Sequence, residues 1–104
     1  MGWVYINEKD NYSVRDFKLE QNYPNPFNSS TTIKYKIEKR SNVKIEIFNI
    51  IGQKIETLVD EVQMPNEYTI RWEVSDKTVL PSGLYFYQIN VDNRIKSRRM
   101  IYIK

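Results

Sequence analysis

Thr32-Ile33-Lys34-Tyr35-Lys36-Ile37, followed by Val43-Lys44-Ile45-Glu46-Ile47, is the stretch whose reading decides the fold. In the first run Ile33, Tyr35 and Ile37 share one phase, and Lys34 and Lys36 hold the other. In the second, Val43, Ile45 and Ile47 oppose Lys44 and Glu46. Strict alternation is the period of a strand, because successive side chains point to opposite faces. One apolar and one charged face mean half-buried antiparallel strands. The polar run Lys39-Arg40-Ser41-Asn42 between them reads as a turn.

Working outward toward the C-terminus, Asn49-Ile50-Ile51-Gly52-Gln53 reads as a hairpin loop with Gly52 at positive φ. Ile55 to Val62 suits two periods. Ile55, Leu58, Val59 and Val62 match a helix, whereas Ile55, Thr57 and Val59 match a strand. The preceding Gly turn favours a strand paired with residues 43–48, then a loop. Met64-Pro65-Asn66-Glu67 breaks the chain, and Tyr68, Ile70 and Trp72 alternate with Thr69, Arg71 and Glu73. Ser75 to Gly83 is a polar loop. Leu84 to Val91 is apolar on both faces apart from Gln88 and Asn90, which predicts a central strand covered on both sides at its start. Asp92-Asn93 is a two-residue turn, and Ile95 to Ile103 is a last strand with Met100 and Tyr102 on one face.

Toward the N-terminus, Phe17-Lys18-Leu19-Glu20 is a short alternating run. Gln21 to Ser30 carries two Pro and three Asn, which forbid a helix and break a ladder. It is expected to be an ordered extended loop, docked through Tyr23 and Phe27. Residues 1–16 read as a linker remnant or an appended segment, and residues 17–104 as the domain. Trp3-Val4-Tyr5-Ile6 is equally compatible with an extra strand. Seven strands and no segment that demands a helix predict an all-β fold: a seven-stranded antiparallel immunoglobulin-like β-sandwich. The immunoglobulin Cys pair is absent, so the inference concerns architecture alone. The expected core is Ile33, Tyr35, Ile45, Ile47, Ile70, Trp72, Tyr85, Tyr87 and Met100.

Composition narrows the chemistry. At 104 residues the chain supports one core. It has no Cys and no His, hence no disulfide, no thiol nucleophile and none of the usual general base near pH 7. Three Gly make phosphate-cradling loops improbable. An enzyme is the minority reading. Basic residues outnumber acidic ones 16 to 13, with the signs interspersed, which is not the basic face of a nucleic-acid binder. No apolar run reaches the ~18 residues of a membrane helix. Ala is absent, whereas Ile and Tyr, both strand formers, are abundant. No secretory leader is visible at the start, so the chain reads as intracellular or as a piece of a longer precursor.

Candidate sites are few. Glu46 and Glu56 could face each other across the hairpin at residues 43–59, but solvated surface carboxylates are the norm. Asp60-Glu61 and Asp92-Asn93 are too sparse for calcium. Arg94, Lys96 and Arg98 share a face, with Arg99 on the other, and read as charges protecting an edge strand. Eight Tyr and two Trp suggest sugar binding, yet Tyr35, Tyr68, Trp72 and Tyr102 lie on the core phase. Asn11-Tyr12-Ser13 and Asn28-Ser29-Ser30 match the glycosylation sequon by chance composition.

One ordered set of motifs changes the odds. Leu19-Glu20-Gln21-Asn22-Tyr23-Pro24-Asn25-Pro26-Phe27-Asn28, then Thr32 to Tyr35, Val43 to Asn49, Gly52-Gln53, Thr57-Leu58-Val59, Trp72, Ser82 to Tyr87 and Arg99 to Lys104 resemble the C-terminal sorting domain of the type IX secretion system of Bacteroidetes. The resemblance spans roughly residues 17–104 in the family's order. The chain departs from it in loops: Ser29 stands for a common Pro, Asn66-Glu67 for Gly, and Glu73 for an Asp after the Trp. The resemblance implies a cargo protein N-terminal to this domain, passage through the periplasm, and recognition by the outer-membrane machinery. It also implies removal by a sortase-like peptidase at the cell surface or on release to the medium. A missing leader is then expected.

On this reading, recognition falls on Gly83, Leu84 and Tyr85 and on Met100, Ile101, Tyr102, Ile103 and Lys104. Asn22, Tyr23, Pro24, Asn25, Pro26, Phe27 and Asn28 form the family-motif loop. No catalytic residue, cofactor, metal, nucleic acid or membrane insertion is expected, and a monomer is. The competing reading is a passive immunoglobulin-like spacer, adhesion or carbohydrate-binding module of a surface protein.

Overall fold

The structure, a computed structural model, describes residues 17–74 and 79–104. The readings of residues 1–16, including the Trp3–Ile6 strand and the Asn11 sequon, lie outside the described residues. Among the described residues there are seven strands: β1 Phe17–Leu19, β2 Ser30–Ile37, β3 Ser41–Phe48, β4 Lys54–Gln63, β5 Asn66–Glu73, β6 Gly83–Val91 and β7 Arg94–Tyr102. They form two antiparallel sheets, ordered β1-β2-β5 and β4-β3-β6-β7. No helix occurs among the described residues. This is an all-β sandwich whose fourth strand pairs with β3, whereas a constant-type immunoglobulin domain pairs it with the fifth.

The alternating runs Thr32–Ile37 and Val43–Ile47 are strands, but they lie in different sheets. Glu38-Lys39-Arg40 crosses from one sheet to the other. Ser41 and Asn42, read as turn, already belong to β3. Ser41 is buried, and its hydroxyl donates to the Lys39 carbonyl at 2.7 Å, which fixes the crossing.

The ambiguous window is strand throughout, so its second half is not a loop. Register shifts between Ile45 and Glu46 and between Ile47 and Phe48 put bulges into the β3–β4 ladder. A bulge resets the phase, so neither simple period holds along β4. It also separates the two carboxylates that alternation set opposite each other. Glu46 pairs with Thr57, and Glu56 pairs with Ile47. Glu46 sits 3.4 Å from Lys54, while Glu56 accepts a hydrogen bond from Trp72 Nε1 at 3.0 Å. They form no cleft.

The core lies between the sheets. β2 supplies Ile33, Tyr35 and Ile37; β3 supplies Val43, Ile45 and Ile47; β6 supplies Tyr85, Tyr87, Ile89 and Val91. Trp72, Met100 and Tyr102 join it, as expected, together with Phe17, Leu19, Phe27, Val59 and Leu80. Ile70 and Tyr68 are only half-buried. β5 is an edge strand, so its inward residues reach the rim of the core. Tyr68 stacks on Tyr35 with ring centres 5.3 Å apart and donates its hydroxyl to the Met64 carbonyl. Gly52 (φ 84°), Asp92 (φ 48°) and Asn93 (φ 71°) take the left-handed backbone their turns require.

β6 is central, between β3 and β7. Its outward residues Leu84 and Phe86 are nevertheless half-exposed, and no described element covers them. The expectation of cover on both sides therefore fails at its start. The chain builds two layers, and the second apolar phase of β6 faces out.

Candidate functional site

Three segments separated in sequence meet at one end of the sandwich. In the β6–β7 ladder Gly83 pairs with Tyr102, Leu84 with Ile101 and Tyr85 with Met100. The start of β6 and the end of β7 are thus one patch. The Asn22–Asn28 loop lies along the same end of β7. Phe27 N–H donates to the Ile101 carbonyl at 3.0 Å, and Ile103 N–H donates to the Phe27 carbonyl at 2.8 Å. Asn25 Oδ1 accepts from Ile101 N–H at 2.9 Å, and Gln21 Nε2 donates to the Arg99 carbonyl at 2.8 Å. The loop stands where a further strand would add, which caps the open edge of β7.

Side chains hold that loop in place. Phe27 is buried, 5.7 Å from Trp72 and 5.4 Å from Tyr102 between ring centres. Asn22 is also buried, a role the sequence reading missed. Its amide donates to Thr31 Oγ1 at 2.9 Å and to the Pro24 carbonyl at 3.2 Å. Thr31 Oγ1 donates to the same carbonyl at 2.9 Å. The Asn-x-x-x-x-x-x-x-x-Thr spacing carries no recognised capping signal, so nothing local marks the pair. Tyr23 does not dock. Its ring is 79% exposed, and the loop is held there by backbone bonds to Thr32 in both directions at 2.9 Å.

Burial sorts the other expected residues. Tyr85, Met100 and Tyr102 are core and present no side chain to a partner. Burial raises the Tyr85 phenol, with Tyr102 adding to the effect, and its hydroxyl donates to the Pro81 carbonyl. Leu84 is half-buried, Ile101 is 43% exposed and Ile103 51%, and Lys104 is exposed. Lys104 N–H donates to Ser82 Oγ at 2.7 Å. Gly83 has φ +152°, with nothing within 4 Å of where a Cβ would stand. Backbone conformation, not space, demands glycine there.

The basic residues of β7 do more than protect an edge. Lys96 Nζ donates to the Phe17 carbonyl at 2.9 Å and lies 4.7 Å from the Phe17 ring centre. Arg98 Nε donates to the Leu19 carbonyl at 2.7 Å, and Arg94 lies over the Phe17 ring. Lys96 and Arg98 thus bond β1 carbonyls on the side where it has no neighbouring strand. Burial lowers the Lys96 ammonium, and the Arg98, Lys18 and Arg94 charges lower it further. Beside them Tyr87 donates to the Glu20 carbonyl at 2.6 Å. Burial pushes its phenol up to about 12, partly offset by the Asn22 backbone and by Arg98.

Among the described residues no group of three or more Asp or Glu could hold a metal ion, and no helix is long and apolar enough to cross a membrane. Trp72 and Tyr35 are buried, so they offer no flat platform for a sugar ring.

The motif residues of this β-sandwich gather on its terminal ladder, bonded along β7. The chain belongs to the secretion system C-terminal sorting domain family, whose model matches residues 21–104. It is a type IX C-terminal sorting domain, a class that directs export to the cell surface or the medium. No curated protein matches the chain. Solved structures share the fold. Dimeric latent PorU of Porphyromonas gingivalis is 20% identical with a TM-score of 0.63, over 84% of this chain. PorZ, an essential surface component of the type IX secretion system of the same organism, is 17% identical with a TM-score of 0.57, over 88%. The Pseudomonas fluorescens alkylpurine DNA glycosylase AlkC is 9% identical with a TM-score of 0.56, over 86%. This chain spans 9%, 12% and 31% of those chains respectively.

Proposed function

We propose that this domain is a non-catalytic secretion signal read in the folded state, and that the β6–β7 terminal ladder is its recognition element. The observation that carries the proposal is the convergence of Gly83-Leu84, Ile101 to Lys104 and the Pro24–Asn28 loop on one end of the sandwich. A rigid end can be read whatever cargo precedes it. The outer-membrane machinery binds this end after the precursor has folded in the periplasm. A sortase-like peptidase then separates the domain from its N-terminal cargo. The buried members Tyr85, Met100 and Tyr102 set the shape of the end, and Leu84, Ile101, Ile103 and Lys104 make the contacts. The domain acts as a monomer.

The test is a periplasm-targeted fluorescent reporter with this domain at its C-terminus, in a host carrying the type IX system. Fluorescence on the surface or in the medium is expected. Retention in the periplasm of an intact, folded fusion would contradict the proposal.

A further inference from the structure

Resting on that reading, we propose that the apolar end of the outer β3-β6-β7 face docks a protein partner that presents an aliphatic or aromatic side chain flanked by carboxylates. The ladders place Lys54, Phe48, Phe86 and Arg99 in one cross-strand row on this face. Leu84 and Ile101 form the next row toward the chain end. Ile50, 72% exposed, stands beside Phe48 and Phe86 over a shallow recess of about 350 Å³ that runs to Gln88 and Ser97, where the face turns polar. The other half of the face is polar, with Glu46, Gln88 and Ser97 in the adjacent row. An apolar patch bounded by polar residues on an otherwise charged domain marks a contact surface.

Charge chooses the occupant. Lys54 bounds the patch on one side, 3.4 Å from Glu46, and Arg99 bounds it on the other. Among the described residues Arg99 has no ion pair, so its charge is available to a carboxylate from outside. A second copy is a poor occupant, because a two-fold contact sets the same patch against itself and brings the rim cations Lys54 and Arg99 of one copy against those of the other. The half-buried rings of Phe48 and Phe86 floor a recess that receives a side chain.

The experiment places a photo-crosslinking aromatic residue at position 50 of the reporter's sorting domain and irradiates during export. The adduct is mapped by mass spectrometry, in wild type and in Arg99→Glu, with Lys34→Glu on the opposite sheet as the charge control. Expected is a protein adduct on an apolar segment bordered by Asp or Glu. Its yield falls about tenfold in Arg99→Glu and is unchanged in Lys34→Glu. A lipid adduct, a domain–domain adduct, no adduct in an exporting wild type, or equal yields from wild type and Arg99→Glu overturns the inference while leaving the sorting reading intact. A wild type that stays in the periplasm sinks the sorting reading itself, and this inference with it.

Discussion

Phe27 and Tyr23 flank one twin-proline loop, and only Phe27 turns inward. The loop has no period, so the sequence marks both as aromatic anchors and cannot say which ring finds the core. The difference has a measurable consequence. Phe27→Ala removes a ring packed on Trp72 and Tyr102 and should cost about 3–5 kcal/mol, read as a drop in the denaturation midpoint. Tyr23→Ser should change stability by less than about 0.5 kcal/mol. Tyr87 supplies a pH signature. Its folded pKa of about 12 exceeds the ordinary ~10, so the unfolded state loses its proton first. The stabilisation is complete below about pH 10 and is lost as pH rises toward 12, about 2–3 kcal/mol in all. Urea titrations at several alkaline pH values should show that decline, and Tyr87→Phe should flatten it. At Gly83, Ala meets no clash but a strained backbone, for an expected loss of about 1–3 kcal/mol.

At the level of elements, the strands were legible because alternation records which side chains face in. Val43-Lys44-Ile45-Glu46-Ile47 states its buried face but says nothing about its neighbours. The assignment of β2 and β3 to opposite sheets was therefore hidden, and so were the β3–β4 bulges. The same limit concealed what Lys96 and Arg98 do. Their shared phase was readable; that it faces the three-residue β1 depends on how the sheets stack. β1 has one ladder, to β2, and two side-chain donors on its other side. Replacing both donors, in Lys96→Met with Arg98→Met, should loosen β1 by about 1–2 kcal/mol. Amide exchange at residues 17–19 should quicken about tenfold or more, with β3 and β6 unchanged. Equal protection in the double variant would show that Phe17 and Leu19 burial alone holds the strand.

Across the whole molecule, the core and the proposed recognition end share residues. Tyr85, Met100 and Tyr102 belong to both, so most substitutions in the terminal ladder confound folding with recognition. The motif order in the sequence pointed to these segments. Their meeting at one end became visible only through the β6–β7 register and the loop bonded along β7. Ile103 and Lys104 offer the clean separation. Both are exposed, and the backbone bonds they make are the Ile103 bond to Phe27 and the Lys104 bond to Ser82. The decisive measurement is export of the periplasm-targeted reporter with Ile103-Lys104 deleted, alongside thermal melting of the same truncated domain. If the terminal ladder is what the machinery reads, the melt stays cooperative and close to that of the complete domain, and the reporter is held in the periplasm. Undiminished export of the truncated, folded domain would contradict that reading.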